Sequence, residues 1–130
     1  MKVIIAGSRS INNIALVELA CYQAVQRWKR NGFMNYINEI VCGESSGVDQ
    51  LCQILAAKAG IPVKMFRANY TQDKEQAEHI RNLNMINYAE ALIAVWDGKS
   101  SGTKIMINLA KKKKLKVFIF QLNSGDTNET

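Results

Sequence analysis

Five short apolar runs alternate with four longer segments of helical periodicity in this chain, and this alternation limits its fold more than any other feature. The runs lack alternating polar residues, which is typical of strands buried on both faces. Such strands, separated by helices, form a parallel sheet with right-handed crossovers. The sequence therefore predicts an α/β domain with a five-stranded parallel sheet, its strands at Val3–Ala6, Glu39–Cys42, Pro62–Phe66, Ala91–Val95 and Val117–Phe120.

Apolar residues spaced by three or four positions predict the four intervening helices. These helices are expected at Asn12–Arg30, Ser46–Ala59, about Lys74–Tyr88 and Ser101 to about Lys113. The expected inner stripes are Val48, Leu51, Cys52, Leu55 and Ala59 in the second helix and Ala77, Ile80, Leu83 and Ile86 in the third. Pro62 at the first position of its strand favours an edge or a strand-start location.

The length and composition fit one globular domain. A chain of 130 residues with 48% hydrophobic and 22% charged residues has enough apolar surface to bury a core. We assign residues 1–121 to the domain and 122–130 to a polar tail. No apolar run approaches the ~20 residues that span a bilayer, and the first residues turn polar too quickly for a signal peptide. Three cysteines without a CxxC pair argue against a disulfide framework or a zinc site. We therefore expect a cytoplasmic protein with no membrane contact, no metal and no resident cofactor.

Loops rich in glycine and serine follow three of the predicted strands. They are Gly7–Ser10, Gly43–Asp49 and Asp97–Thr103, and the last two open onto helices. Ligands of open parallel sheets bind at this edge, where glycine permits close approach and helix amino termini favour phosphate. Neither the GxGxxG nor the GxxxxGK[ST] motif is present, so a standard dinucleotide or ATP site is not supported. Simple turns and helix caps remain the alternative for these loops.

Charged residues of both signs are expected at the same edge. Four cations are candidates for pairing with phosphate: Arg9, Arg67, Arg81 and Lys99. Three carboxylates are candidates for ribose hydroxyls or for a base, namely Glu44, Asp49 and Asp97. For Asp49 the alternative is an electrostatic contact with the helix dipole. His79, the single histidine, is taken as structural, and no triad is proposed.

The net charge of +6 is concentrated in one stretch. Five lysines lie at Lys111–Lys114 and Lys116, and without them the balance is 12 − 11 = +1. We expect this stretch at the carboxyl end of the last helix, at the opposite edge of the sheet from the glycine-rich loops. Cations there complement the helix dipole. A contact with nucleic acid or an acidic surface is the alternative.

Four sequence blocks together resemble the SLOG superfamily, most closely its YspA-like (YpsA-related) branch of small bacterial and phage proteins. The blocks are Met1–Arg9, Val41–Asp49, Ile80–Asn82 with Met85, and Ala91–Thr103, and the likeness extends to Phe120. The resemblance implies a single Rossmann-like three-layer domain whose loops hold a nucleotide or a nucleotide-derived ligand. It also implies a homo-oligomer, for which Phe33, Met34 and Tyr36 are candidate contacts.

The loops and the resemblance together define the expected ligand-binding residues. A phosphate cradle is expected from Gly7, Ser8, Gly43, Gly47, Ser101, Gly102 and Thr103, and Gly98 is a further expected ligand-binding residue. Arg9 and Arg81 are expected to pair with phosphate, and Asp49, Asn82 and Asp97 to contact sugar or base. The expected partner is a small phosphorylated molecule, and nucleic acid is less favoured because the charges at this edge are nearly balanced.

Two related families imply alternative functions. The block His79–Asn82 is similar to the His-x-Arg-Lys block of the Lonely Guy phosphoribohydrolases, and Ser101–Thr103 to their glycine-rich block. The glutamate of those enzymes falls near Met106, so a nucleotide N-glycosidase would use Arg81 to orient substrate and Asp97 or Glu44 as base. The DNA-processing protein A (Smf) family shares similar Gly-Ser-Arg and Arg-Asn blocks and implies single-stranded DNA binding, for which Tyr70, Tyr88 and Trp96 are candidate stacking residues.

Overall fold

The structure is a computed structural model that describes residues 1–32, 37–71 and 73–122. Its five strands are β1 (Lys2–Gly7), β2 (Glu39–Cys42), β3 (Val63–Met65), β4 (Ala91–Trp96) and β5 (Lys116–Gln121). They form one sheet in the order β3-β2-β1-β4-β5, and every neighbouring pair is parallel. The predicted α/β fold is confirmed as a single Rossmann-like three-layer domain.

Four helices cover the two faces of this sheet: α1 (Ile14–Arg30), α2 (Val48–Ala59), α3 (Lys74–Tyr88) and α4 (Ser101–Lys112). Ile5 and Ile93 face α1 and α2, whereas Ile4 and Leu92 face α3 and α4. Both layers of the core are therefore apolar, as strands buried on both faces require. Within the described ranges, no helix has the length and apolar character needed to cross a bilayer.

Two helices begin two residues later than the sequence predicted, because their caps lie inside the predicted ranges. Asn13 caps α1, where its side-chain oxygen accepts a hydrogen bond from the Ala15 N–H at 3.0 Å. Gly47 precedes α2 with a φ of 73°, a backbone conformation outside the helical region. Cap residues are half outside the helix that they begin.

The inward faces of α2 and α3 differ from the predicted stripes. Ala59 is exposed and Ala56 is buried in its place, which makes the inner face of α2 one turn shorter. In α3, Ile80 is 41% exposed, whereas Asn82 is only 8% exposed. A buried amide needs hydrogen-bond partners. The Arg81 guanidinium supplies them, because its Nε and Nη2 both donate to Asn82 Oδ1.

The third strand and the lysine stretch both lie where the sequence predicted. β3 is an edge strand that starts directly after Pro62, as the proline predicted. The lysine stretch ends α4 and enters β5, at the amino edge of the sheet and opposite the glycine-rich loops. The candidate oligomer contacts Phe33, Met34 and Tyr36, and the tail from 123 onward, lie outside the described residues.

Candidate functional site

A cavity of about 870 Å³ opens at the carboxyl ends of β1, β2 and β4. The strand order changes direction between β1 and β4, and open α/β sheets bind ligands at this point. Eleven of the expected site residues line the cavity: Gly7, Ser8, Arg9, Gly43, Asp49, Arg81, Asn82, Asp97, Ser101, Gly102 and Thr103. Loops that are distant in sequence therefore meet around one space.

Three expected site residues lie outside the cavity lining. Glu44 borders a neighbouring open depression of about 520 Å³, where its Oε1 accepts a hydrogen bond from the Ala68 N–H at 3.3 Å. Gly47 packs against the chain after β1, since an added Cβ would lie 2.6 Å from the Arg9 carbonyl oxygen. Gly98 forms a turn against the Gln121 side chain. The two glycines shape the loops and do not face the cavity.

The amino terminus of α4 presents unpaired donors to the cavity. Ser100 precedes the helix without capping it through its side chain, and the first turn contains no acidic residue. Lys104 is the first residue of α4 whose backbone N–H has an acceptor, which is the Ser100 carbonyl oxygen at 3.2 Å. No acceptor in the described part of the chain meets the N–H groups of Ser101, Gly102 and Thr103. Unpaired helix N–H groups and the positive end of the dipole favour an anion at this position.

Asp97 holds the loop that leads into α4. Its Oδ1 accepts hydrogen bonds from the N–H groups of Lys99 at 2.8 Å and Ser100 at 2.7 Å. Its own N–H donates to the buried Ser8 hydroxyl at 3.1 Å, which ties the loops after β1 and β4 together. Desolvation raises the pKa of Asp97, but the hydrogen bonds from Ser100, Lys99 and Ser8 outweigh it and lower the pKa below its ordinary value. This carboxylate is therefore ionised and already engaged.

Asp49 occupies the position that a ligand would take at the start of α2. Its Oδ2 accepts a hydrogen bond from the Ser45 N–H at 3.0 Å, and the Gly43 N–H also donates to the carboxylate. Desolvation raises the pKa of Asp49, and these donors together with Arg81 and Arg9 only partly offset it. Each loop therefore holds a carboxylate that accepts loop N–H groups, and beyond Asp97 the first N–H groups of α4, from Ser101 to Thr103, are unpaired.

The Arg81 side chain lines the cavity and extends from α3 to the loop after β2. Besides its two bonds to Asn82, its Nη1 lies 3.4 Å from the position that a Cβ on Gly43 would occupy. The same Cβ would lie 2.9 Å from Asp49 Oδ2. Glycine at position 43 is thus what allows the guanidinium and the carboxylate to approach the backbone.

The first turns of α3 supply wall residues that the sequence analysis missed. Glu75, Glu78 and His79 line the cavity beside Arg81 and Asn82. Glu75, Glu78 and Asn82 follow one another at spacings of three and four, so they share a helix face. Helical spacing back from the Arg-Asn block would have identified both glutamates.

The inner part of the cavity is apolar. Ala6, Met85, Ile105 and Met106 contribute to its lining, and Met85 and Met106 are nearly inaccessible to solvent. Methionine side chains adapt to flat aromatic surfaces. A methionine at position 106 also means that this wall carries no carboxylate where the Lonely Guy resemblance implies one.

Together, the fold and the cavity define a Rossmann-like α/β protein with a cavity at the switch point of its sheet. Comparison of the chain with protein-family models, with curated proteins and with solved structures found no match in any of the three. In the described ranges, no three His, Cys, Asp or Glu side chains are grouped as a metal ion would require. The character of the site therefore follows from its own residues.

The burial of Asp49 leads to a pH-dependence prediction. Because its pKa is raised in the folded state, the folded protein keeps this proton to higher pH than the unfolded chain does. The resulting stabilisation is complete below the ordinary aspartate pKa of about 3.9 and is lost as pH rises through the raised value. Asp49→Asn does not titrate. In urea unfolding, we expect wild type to lose stability relative to this variant from about pH 3.9 to neutrality. Parallel pH curves would contradict this expectation.

Proposed function

We propose that this protein binds a nucleotide of nucleoside monophosphate size in the cavity at the carboxyl edge of its sheet. The observation that carries the proposal is that one cavity combines the unpaired N–H groups of Ser101, Gly102 and Thr103 with an apolar wall and with the half-buried side chains of Asp49 and Arg81. A phosphate, a base and a sugar need these three environments. The SLOG membership suggested by the sequence blocks is part of this proposal.

The phosphate is assigned to the amino terminus of α4. This position offers three free N–H groups and the hydroxyls of Ser100, Ser101 and Thr103, with no competing carboxylate in the first turn. At the amino terminus of α2, by contrast, the Asp49 carboxylate already accepts the loop N–H groups. A dianion at that second position would compete with Asp49 for the loop donors. Asp97 lies before α4 in the same way, but it leaves the N–H groups of Ser101, Gly102 and Thr103 unpaired, so the phosphate favours α4.

The base and the sugar are assigned to the remaining walls. Ile105, which is 54% exposed, provides an accessible apolar surface for a flat ring, and Met85 and Met106 line the same cavity. Asp49, with two carboxylate oxygens near Arg81, faces the same space and is suited to accept hydrogen bonds from ribose hydroxyls. The Asn82 amide is fixed by Arg81 and adds polar recognition beside it.

Binding without hydrolysis is favoured by the state of the carboxylates. Of the two residues that the sequence offered as base, Glu44 lies outside the cavity and Asp97 already accepts two backbone hydrogen bonds. The wall at Met106 has no acidic side chain. Neither Glu44 nor Asp97 is therefore both inside the cavity and free to stabilise the oxocarbenium-like transition state of N-glycosidic cleavage. Glu75 and Glu78 of the α3 wall are the further carboxylates of the lining, and Glu78 accepts a hydrogen bond from the Tyr70 hydroxyl. We therefore propose a binding or sensing role.

The charge of the cavity favours one phosphate over a polyanion. Its lining contains two guanidinium groups, Arg9 and Arg81, and four carboxylates, Asp49, Glu75, Glu78 and Asp97. A strand of nucleic acid or a triphosphate would bring several negative charges against these carboxylates. A single phosphate at the helix amino terminus avoids most of that repulsion.

Free thiols at Cys21, Cys42 and Cys52 fit the cytoplasm, where such nucleotides are abundant.

Thermal unfolding with nucleotides tests this proposal. We expect at least one of adenosine, guanosine, cytidine or uridine monophosphate to raise the Tm by about 8 °C at 100 times its Kd, since such binding adds about 2.7 kcal/mol. Mass spectrometry of the small molecules that co-purify with the protein would identify the natural ligand. Absence of any shift at millimolar nucleotide contradicts the proposal. Release of free base, abolished by Arg81→Ala, would establish hydrolysis instead.

A further inference from the structure

Basic residues gather at the amino edge of the sheet, opposite the cavity. Helices α1 and α4 both end at this edge, and each carries basic residues in its last turn. We define the amino-edge surface by these side chains and the two lysines that follow α4: Arg27, Lys29, Arg30, Lys111, Lys112, Lys113 and Lys114. All seven are exposed. This group accounts for most of the net charge of +6.

The two halves of the amino-edge surface lie on either side of the same strands. α1 and α4 pack on β4 and β5 from opposite faces of the sheet. Arg27 reaches β5 directly, since its guanidinium carbon lies 5.6 Å from the centroid of the Phe118 ring. Lys111–Lys114 lead into β5 from the other face. Cations at the ends of both helices therefore flank β5 from the two faces of the sheet.

Carboxylates do not neutralise this surface in the described part of the chain. The one ion pair recorded there joins Lys58 to Glu18 at 3.3 Å, away from the amino-edge surface. The two glutamates nearest this edge have other partners: Glu39 accepts a hydrogen bond from the Tyr88 hydroxyl, and Glu90 accepts one from the Lys2 N–H at 2.9 Å. Their donors are neutral, so both carboxylates keep their charge, but two carboxylates against seven exposed cations leave this edge positive.

Lys114 adds a second, independent observation. Its φ of 63° makes it the one non-glycine residue with a positive φ among the described residues. The position follows the C-cap of α4, where its N–H donates to Lys111 O and the Leu115 N–H to Ala110 O, each at 3.0 Å. Helices favour glycine at such a position, and another residue there costs stability. Lys114 therefore keeps a charge on the amino-edge surface at a position where glycine would be less strained.

We propose that the amino-edge surface binds the phosphate backbone of duplex nucleic acid without reading its sequence. A duplex presents one negative charge per about 1.7 Å of its axis, which complements seven exposed cations at one edge of the sheet. Among residues 1–32, 37–71 and 73–122, the large exposed apolar residues are Leu19, Tyr22, Ile54, Val63, Tyr70, Ile80 and Ile105, and none of them belongs to the amino-edge surface. Membrane surfaces and single strands both favour cations interleaved with apolar or aromatic anchors. A backbone contact needs none.

Fluorescence anisotropy with a labelled DNA duplex of about two helical turns tests this proposal. We take about four phosphates to be neutralised, which gives a plot of log Kd against the logarithm of salt concentration with a slope of about 3.6. Affinity then falls about 150-fold between 50 and 200 mM salt. Lys112→Gln/Lys113→Gln/Lys114→Gln is expected to weaken binding about 100-fold and to lower that slope to about 1. The matched control, Lys64→Gln/Lys74→Gln/Lys104→Gln, removes the same charge from exposed lysines elsewhere and is expected to change Kd less than about 5-fold.

Other outcomes would overturn the proposal. Equal weakening by both triple variants would mean that only the net charge matters. Tighter binding of the single strand than of the duplex, or binding to phosphatidylserine vesicles without binding to DNA, would assign the surface to a different partner. No duplex binding at 50 mM salt with protein at tens of micromolar would remove the assignment altogether. Millimolar nucleotide should leave the duplex Kd unchanged, because the cavity lies at the other edge.

Discussion

Gly7→Ala is expected to lower the free energy of unfolding by about 3 kcal/mol, the upper part of the range for overpacked cores. Gly7 ends β1 at the back of the cavity, and an added Cβ would lie 2.3 Å from the Val95 carbonyl oxygen and 2.6 Å from Val48 Cγ2. Neither neighbour can move away. The Val95 carbonyl accepts the Ser8 N–H at 3.1 Å, and Val48 is fully buried at the start of α2.

Gly102→Ala is the matched control for this prediction. Gly102 also lines the cavity, but it lies within α4, and a Cβ built there meets nothing within 4 Å. Alanine favours the helix over glycine by up to about 1 kcal/mol, so this variant should be at least as stable as wild type. Urea denaturation of both variants measures the difference. If Gly7→Ala matches wild type in stability, then β1, β4 and α2 do not meet as tightly as the cavity wall requires.

The elements of the fold were predictable because both faces of the sheet are buried. All five residues of Ala91–Val95 are fully inaccessible, and an unbroken apolar run is the pattern that such a strand produces. The strand order was not predictable in the same way. Periodicity reports burial and carries no information about which strand lies beside which. The caps at Asn13 and Gly47 were missed because hydrogen bonding and backbone angle, not hydropathy, set them.

The glycines show how far a sequence can define a binding site. Gly47, Gly98 and Gly102 stand in similar Gly-Ser loops, and the sequence gives no reason to separate them. In the structure, Gly47 and Gly98 adopt positive φ angles and contact other parts of the chain, whereas Gly102 faces open space in the cavity. Only their three-dimensional neighbours distinguish a glycine that shapes a loop from one that leaves room for a ligand.

The two aspartates of these loops illustrate the same limit. Asp49 and Asp97 both follow a predicted strand, and both were candidates for contact with sugar or base. Burial raises the pKa of Asp49, while hydrogen bonds from backbone N–H groups lower the pKa of Asp97. The difference between the two pKa values depends on how deeply each carboxylate is buried and on how many N–H groups donate to it, and no local sequence pattern encodes either.

Gly102→Asp is expected to weaken nucleotide binding at least about 100-fold, because it places a carboxylate where the phosphate is assigned. The first turn of α4 now contains no acidic residue, and its N–H groups are unpaired. An aspartate there would take those donors and repel a dianion, a loss of about 3 kcal/mol. Acidic residues stabilise a helix amino terminus, so the Tm without ligand should not fall. Isothermal titration of the most strongly bound monophosphate measures the effect.

Gln76→Asp separates this local effect from net charge. Gln76 is exposed in the first turn of α3, at the same edge of the sheet, and does not line the cavity. Its variant carries the same added charge, and screening at physiological salt limits its effect on Kd to about 3-fold. Gly102→Ala completes the series, since it fills the same space without the charge. Tight nucleotide binding by Gly102→Asp would move the phosphate away from α4, and the remaining donors would then be those near Arg9 and Arg81. The cavity would still bind a ligand in that case, but with its orientation reversed relative to the one assigned.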